Sequence, residues 1–281
     1  MDPAKRNIYI IAAASFLIIV VAIYFLFINK RGPKQIEPGE TAGEVRQLSE
    51  LQIADRPFVT LTPTSDGAEI ILTLENMSKF DRIEYDLTYL ADNPIVPGEK
   101  ITRGSTGSGV NTKEAKYKTS ILLGTASRGV RSPDTGITDG KLILYLFIGE
   151  DEYQSETDWD LVKIGNIPVA IEARSGSISL KVPSSNKEYW VIICDTVGSP
   201  PNPQGFTPDE IILPIYGTFS IAPTFKTKIE VSITPKKSDA NTQLYSYDHN
   251  ESTWQKLESK SLGNSVTTSV SNFATFVVVG Q

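Results

Sequence analysis

Acid–base or nucleophilic chemistry in this chain has few side chains to draw on. There is one histidine, His249, in "QLYSYDHNESTWQKLES", set between Asp248, Asn250 and Glu251. There is one cysteine, Cys194, in the apolar run "YWVIICD". A Ser–His–Asp hydrolase would have to use His249 as its base. The surroundings predict something else: a polar stretch between two strand-like runs is the tip of a hairpin, where Asp and Asn hydrogen-bond their own backbone. No Gly-x-Ser-x-Gly elbow presents a nucleophile anywhere in the sequence. A single cysteine cannot close an internal disulfide, and with one histidine it cannot complete a Cys/His zinc site. Cys194 is expected as a small buried hydrophobe.

Two other groups invite a binding role. "GEDEYQSETDWD", residues 149–160, gathers Glu150, Asp151, Glu152, Glu156, Asp158 and Asp160. Clustered carboxylates on extracellular loops are calcium ligands, so Ca2+ is the cofactor to test. The Asp-x-Asp-x-Asp-Gly loop is absent, however, and a solvated acidic hairpin is the leading expectation. Tyr245, Tyr247 and Trp254 sit in the arms of the hairpin that carries His249. Facing outward, they would form a stacking platform for a glycan or protein partner; facing inward, they would stabilise the sheet as cross-strand pairs. "RGSTGSGVNTK", residues 103–113, is Gly- and Ser-rich but lacks the Gly-Lys-Ser/Thr ending of a phosphate loop, and reads as a flexible loop.

The elements that must position these groups are strands. "RIEYDLTYL" puts Ile83, Tyr85, Leu87 and Tyr89 on one face, and "FKTKIEVSI" does the same with Phe225, Thr227, Ile229, Val231 and Ile233. Period-two alternation of this kind marks half-buried antiparallel strands. "AEIILTLE", "YKTSILLG", "KLILYLFIG", "SISLKVP", "EYWVIIC", "QLYSYD", "SVTTSV" and "TFVVVG" are further candidates, separated by the turn clusters "TSDG", "TDGK" and "SLGN". No convincing helical period follows residue 56.

Ahead of the strands lies "IYIIAAASFLIIVVAIYFLFI", residues 8–28, without a charge. At about 1.5 Å per residue it spans roughly 31 Å, the thickness of a hydrocarbon core. It exceeds the usual signal-peptide core and ends in "FLFINKRG" with no small-residue cleavage site, so an uncleaved transmembrane helix contacting the lipid bilayer is expected. Lys5 and Arg6 favour a cytoplasmic N-terminus, although Lys30, Arg31 and Lys34 flank the other end. The small residues of "AAAS" would also let the helix dock against a partner helix.

Net charge over the 281 residues is −6. Residues 1–34 carry five basic side chains against Asp2, so the remainder holds 22 basic and 32 acidic residues, a net of −10. A balance of that sign lacks the basic surface that nucleic acid requires. The expected organisation is a short cytoplasmic segment (1–7), a membrane helix (8–28), a polar stalk (29–56) and two antiparallel β-sandwich domains of Ig-like type (57–168 and 169–281).

Several stretches of the second half also carry a family likeness, in order: "SGSISLKVP", "IILPIYGTFSIAPTFKTKIEVSI", "QLYSYDHNESTWQKLES" and "NSVTTSVSNFATFVVVG". Together they resemble the ZU-five β-sandwich of ankyrins, netrin receptors and bacterial surface proteins, over about the last 105 residues. "EYDLTY" and "ILLGTASRGV" resemble uncharacterised single-pass surface proteins of small-genome bacteria. Two departures matter. No Gly-Ala step follows "LKVP", and Asn272, Phe273 and Ala274 stand where self-cleaving members carry His-Phe-Ser, so the resemblance implies no autoproteolysis. It implies a non-catalytic adhesion, envelope-structure or assembly module. An envelope serine hydrolase with an atypical nucleophile and an accessory subunit of a membrane complex are the alternatives.

Overall fold

The computed structural model describes residues 45–166, 170–236 and 242–280. The expected membrane helix, residues 8–28, lies outside the described residues. Among the described residues no helix is long and apolar enough to cross a membrane. The fold is all-β, with sheet packed on sheet. The first half supplies β1 (Val45–Gln47), β2 (Phe58–Pro63), β3 (Glu69–Glu75), β4 (Arg82–Asp92), β5 (Lys100–Gly107), β6 (Lys116–Leu122), β7 (Gly124–Ser127), β8 (Val130–Pro133), β9 (Thr138–Ile148) and β10 (Asp151–Lys163). The second supplies β11 (Ile171–Glu172), β12 (Ile178–Lys181), β13 (Trp190–Thr196), β14 (Ile211–Phe219), β15 (Ile229–Ile233), β16 (Gln243–Asp248), β17 (Thr253–Lys256), β18 (Lys260–Leu262), β19 (Ser265–Val270) and β20 (Thr275–Val279).

One long sheet, in the order β17-β16-β20-β14-β13-β10-β9-β4-β5, runs through both halves. β1 adds to it in parallel alongside the start of β10, with Val45 opposite Glu152. A three-stranded sheet, β2-β3-β6, covers the first half, and a five-stranded sheet, β11-β12-β15-β19-β18, covers the second. β7 and β8 form a separate hairpin.

Side-chain alternation explains why the covering sheets use opposite faces of the long one. Ile83, Tyr85, Leu87 and Tyr89 of β4 are buried with Leu142, Leu144 and Leu146 of β9 in a core that includes Leu61, Ile70, Leu72 and Leu74 of the three-stranded sheet. Ile229, Val231 and Ile233 of β15 are buried in another core, with Phe276 and Val278 of β20. β13 lies between them. Its Ile192 and Cys194 belong to the first core and its Val191 and Ile193 to the second. Successive strand residues point to opposite faces, so one apolar run furnishes both.

Three expectations change. "TDGK" is not a turn: Thr138–Lys141 open β9, Asp139 takes a left-handed φ of 53°, and Gly140 lies under the indole of Trp159. A Cβ there would come within 2.3 Å of that ring, so a glycine is required. Half of the Gly/Ser-rich stretch is ordered strand, since β5 reaches Gly107; there Tyr85 crosses the bare glycine toward Tyr117 and Thr119 of β6. The end of the expected stalk also belongs to the fold. β1 is paired, Leu48 is buried in the first core, and the buried Arg56 guanidinium donates to the carbonyls of Ser49 and Leu51.

Candidate functional site

The hairpin carrying His249 is present: Tyr247 pairs with Trp254 and Asp248 with Thr253 across β16–β17. Asp248 shapes the turn, accepting hydrogen bonds from the backbone N–H groups of Asn250 at 2.8 Å and Glu251 at 3.2 Å, and from the side chain of Asn272. Its carboxylate is therefore committed to the backbone, as expected for an Asp opening a turn. The imidazole is not an exposed tip. It stacks on Phe58 of β2 (centroids 6.1 Å apart, planes within 4°) and contacts Phe219 of β14 at 5.2 Å and Tyr247 at 5.6 Å. Residues of three strands from both halves thus meet at one ring.

This setting defines its protonation. Burial among aromatic rings disfavours the charged form and lowers the His249 pKa to about 4, with Asp248 opposing and nearby Lys116 assisting. The ring is neutral at ordinary pH. Nε2 lies 3.2 Å from Oγ1 of Thr275, whose side chain is completely buried. A Ser–His–Asp arrangement needs a reachable nucleophile at that nitrogen and a carboxylate orienting the ring. Here the hydroxyl is sealed in the core and the adjacent carboxylate serves the turn.

An open cleft of about 350 Å3 adjoins the ring. Its floor is the outer face of the three-stranded sheet, where Thr60, Thr62, Ile71, Thr73, Lys116 and Lys118 project away from the first core; Phe219–Ala222 and the His249 turn form the wall. Ser220 is not available as a nucleophile, because its hydroxyl donates to the Trp190 carbonyl at 2.6 Å and accepts from the Ala222 N–H.

Tyr245, Tyr247 and Trp254 are all buried, which corrects the outward platform. They pack with Phe206, Ile215 and Val277. Their polar ends are used internally, Tyr245 donating to the Gly205 carbonyl at 3.1 Å and Trp254 to that of Pro201 at 3.0 Å. Stacking a sugar needs an open aromatic face, and these faces are covered.

The acidic stretch forms the β9–β10 turn and strand β10. Glu152, Glu156, Asp158 and Asp160 alternate onto its outer face, so at about 3.3 Å per residue they spread over roughly 26 Å. Asp151 pairs with Arg46 at 3.0 Å, and Glu156 with Lys141. Arg174, which the sequence reading missed, binds Asp160 at 2.9 Å and approaches Asp158 at 3.6 Å and Asp139 at 3.9 Å. It also donates to the Trp159 carbonyl. Among the described residues no three His, Cys, Asp or Glu side chains converge on a metal position; Glu150, Asp151, Glu152, Asp158 and Asp160 are spread along the β9–β10 turn and strand β10.

Beside Arg174 lies a second cleft of about 350 Å3, reached by Asp158, Asp160, Ser175 and Asp195. Burial raises the Asp195 carboxyl above the usual range, and its Oδ1 has no hydrogen-bond partner among the described residues. The only sequence signal was a charge ending the apolar run "YWVIICD". Cys194 is the small buried hydrophobe expected, its thiol pushed up by burial. No protein-family model matches the chain, and no curated protein matches it.

Proposed function

We propose that this chain is a membrane-anchored, non-catalytic contact protein. Residues 8–28 hold it in the bilayer with the N-terminus in the cytoplasm. Two β-sandwich modules of Ig-like, ZU-five-like type act outside it, in adhesion, envelope structure or assembly with a protein or glycan partner. The reading is carried by one observation: the only imidazole is packed against Phe58 and Phe219, and its Nε2 shares a hydrogen bond with the fully buried Thr275 rather than with a reachable nucleophile. Lysines and threonines line the open floor of the adjoining cleft, and such groups are suited to polar contact with a partner.

A serine-hydrolase activity probe applied to the full chain tests this. No covalent labelling is expected. Labelling that disappears on substitution of one serine sinks the contact reading in favour of an envelope hydrolase. Protease shaving of intact cells tests the topology, with residues 57–281 expected to be digested. Co-purification of a partner that survives exchange of residues 8–28 for another apolar helix supports contact through the β-structure. Loss of the partner on that exchange moves the reading to an accessory subunit docked through its helix.

A further inference from the structure

β5 and β6 follow one another in the chain, and among the described residues each ends a sheet: β5 the long one, β6 the three-stranded one. Tyr85, lying across Gly107 toward Tyr117 and Thr119, places the two free edges on the same side of the first core. Most other terminal strands are blunted by brevity. β17 has four residues, β18 three and β11 two. β2 has six but packs against β13 and β14 and ends in Pro63. β5 has eight residues and β6 seven, neither contains proline, and both pair with their single neighbours without a register break. A long regular edge with unpaired N–H and C=O groups is a template for another strand.

Charge indicates what that strand carries. Between residues 100 and 133 seven basic side chains face Glu114 alone, in a chain of net charge −6. Lys100, Arg103, Lys116 and Arg131 pair with Asp92, Asp134, Glu75 and Glu69. Lys113, Lys118 and Arg128 have no ion-pair partner among the described residues. Two β6 strands from two copies would gather four lysines on one face, so charge disfavours a second copy.

We propose that the open edge of β6 is a docking site for an extended acidic segment of a partner protein, which joins β2-β3-β6 as a fourth strand. Main-chain hydrogen bonds supply the pairing, and carboxylates at alternate positions meet Lys116 and Lys118, the usual division of labour when a peptide adds to a sheet edge. Such cross-strand charge pairs are screened by salt.

The test uses the full chain in detergent micelles and a roughly ten-residue peptide alternating Glu and Val as probe. Amide hydrogen exchange should slow at alternate residues of β6 and stay unchanged in β16 and β17. A Lys–Val peptide of the same length should leave β6 unprotected. The double substitution Lys116→Glu and Lys118→Glu should weaken binding about tenfold or more, with the melting curve showing that the variant is folded. Should the variant not fold, the charge-reversed peptide alone decides. No protection of β6 by millimolar Glu–Val peptide overturns the proposal. So does β6 protection that grows with protein concentration in the absence of peptide, which would make the edge a self-association site. The inference rests on the contact reading, and the two fail separately. Hydrolase-probe labelling with β6 protected removes only the contact reading; an unlabelled chain with β6 unprotected removes only this one.

Discussion

The His249 turn and strand β10 both hold side chains capable of chemistry, and they are quieted by opposite means. His249 is neutralised by burial: aromatic rings from β2, β14 and β16 surround it, and its pKa falls to about 4. The carboxylates of β10 lie at the surface and are balanced by cations from other segments, Arg46, Lys141 and Arg174. The first device resists salt and responds to pH as it falls from 6.5 toward 4. The second responds to salt, because interactions between exposed charges decay over about 8 Å at physiological ionic strength. A charge pattern alone does not distinguish them; the identity of the neighbours does.

The largest effect that would break this contrast is removal of the stack beneath the imidazole. Phe58 is only 1 % exposed, and Phe58→Ala should cost about 3–5 kcal/mol in denaturant unfolding. The same change should let the His249 pKa climb back toward 6.5, the value of an unburied imidazole. With one histidine in the chain, a single ring resonance in an NMR titration reports it. An unchanged pKa would mean that the rings do not set it.

The pH dependence is next in size. The folded-state pKa lies below the unfolded one, so the neutral ring contributes stability that is complete above pH 6.5 and is lost as pH falls toward 4. Some solvent reaches the ring, so the loss is about 2–3 kcal/mol rather than the full linkage value. Subtracting the profile of His249→Gln from that of the wild type isolates it. A flat difference between pH 7 and 4 would refute it.

Arg174→Ala should cost about 1–2 kcal/mol, through lost bonds to main-chain carbonyls and the unbalanced Asp158 and Asp160. Its effect should shrink at high salt while that of Phe58→Ala does not. Equal salt dependence for the two variants would collapse the comparison. Smallest of all, Lys141→Ala removes a partly exposed surface ion pair with Glu156 and should leave the melting temperature unchanged within error.

Much of the strand content was legible because period-two alternation needs no partner to be recognised. "QLYSYD" is β16 and "SVTTSV" is β19, residue for residue. Ile83, Tyr85, Leu87 and Tyr89 are all buried, as their spacing requires. What failed depends on contacts remote in sequence. Gly140 mimics a turn glycine locally, and only Trp159, nineteen residues on, explains it as space for an indole. Arg174 lies between strands and could not be matched to Asp160 before the sheets were known. His249 sits on the hairpin that its sequence predicts, but its surroundings cannot be read locally, since Phe58 is nearly two hundred residues away. Turn chemistry is written locally; the environment of a turn is not.

The double duty of β13 has a consequence for how the chain is made. The first core takes Ile192, Cys194, Val197 and Phe219 from the second half. A nascent chain that has just completed β10 therefore holds an unfinished core, with the edge from Trp159 to Lys163 awaiting β13. At about 5–20 residues per second, the roughly fifty residues still needed to reach Phe219 keep that edge unpaired for several seconds. Over that interval the N-terminal half is a sticky intermediate rather than a finished domain. Truncation anywhere between β10 and β14 should yield an aggregating fragment in place of a small stable protein.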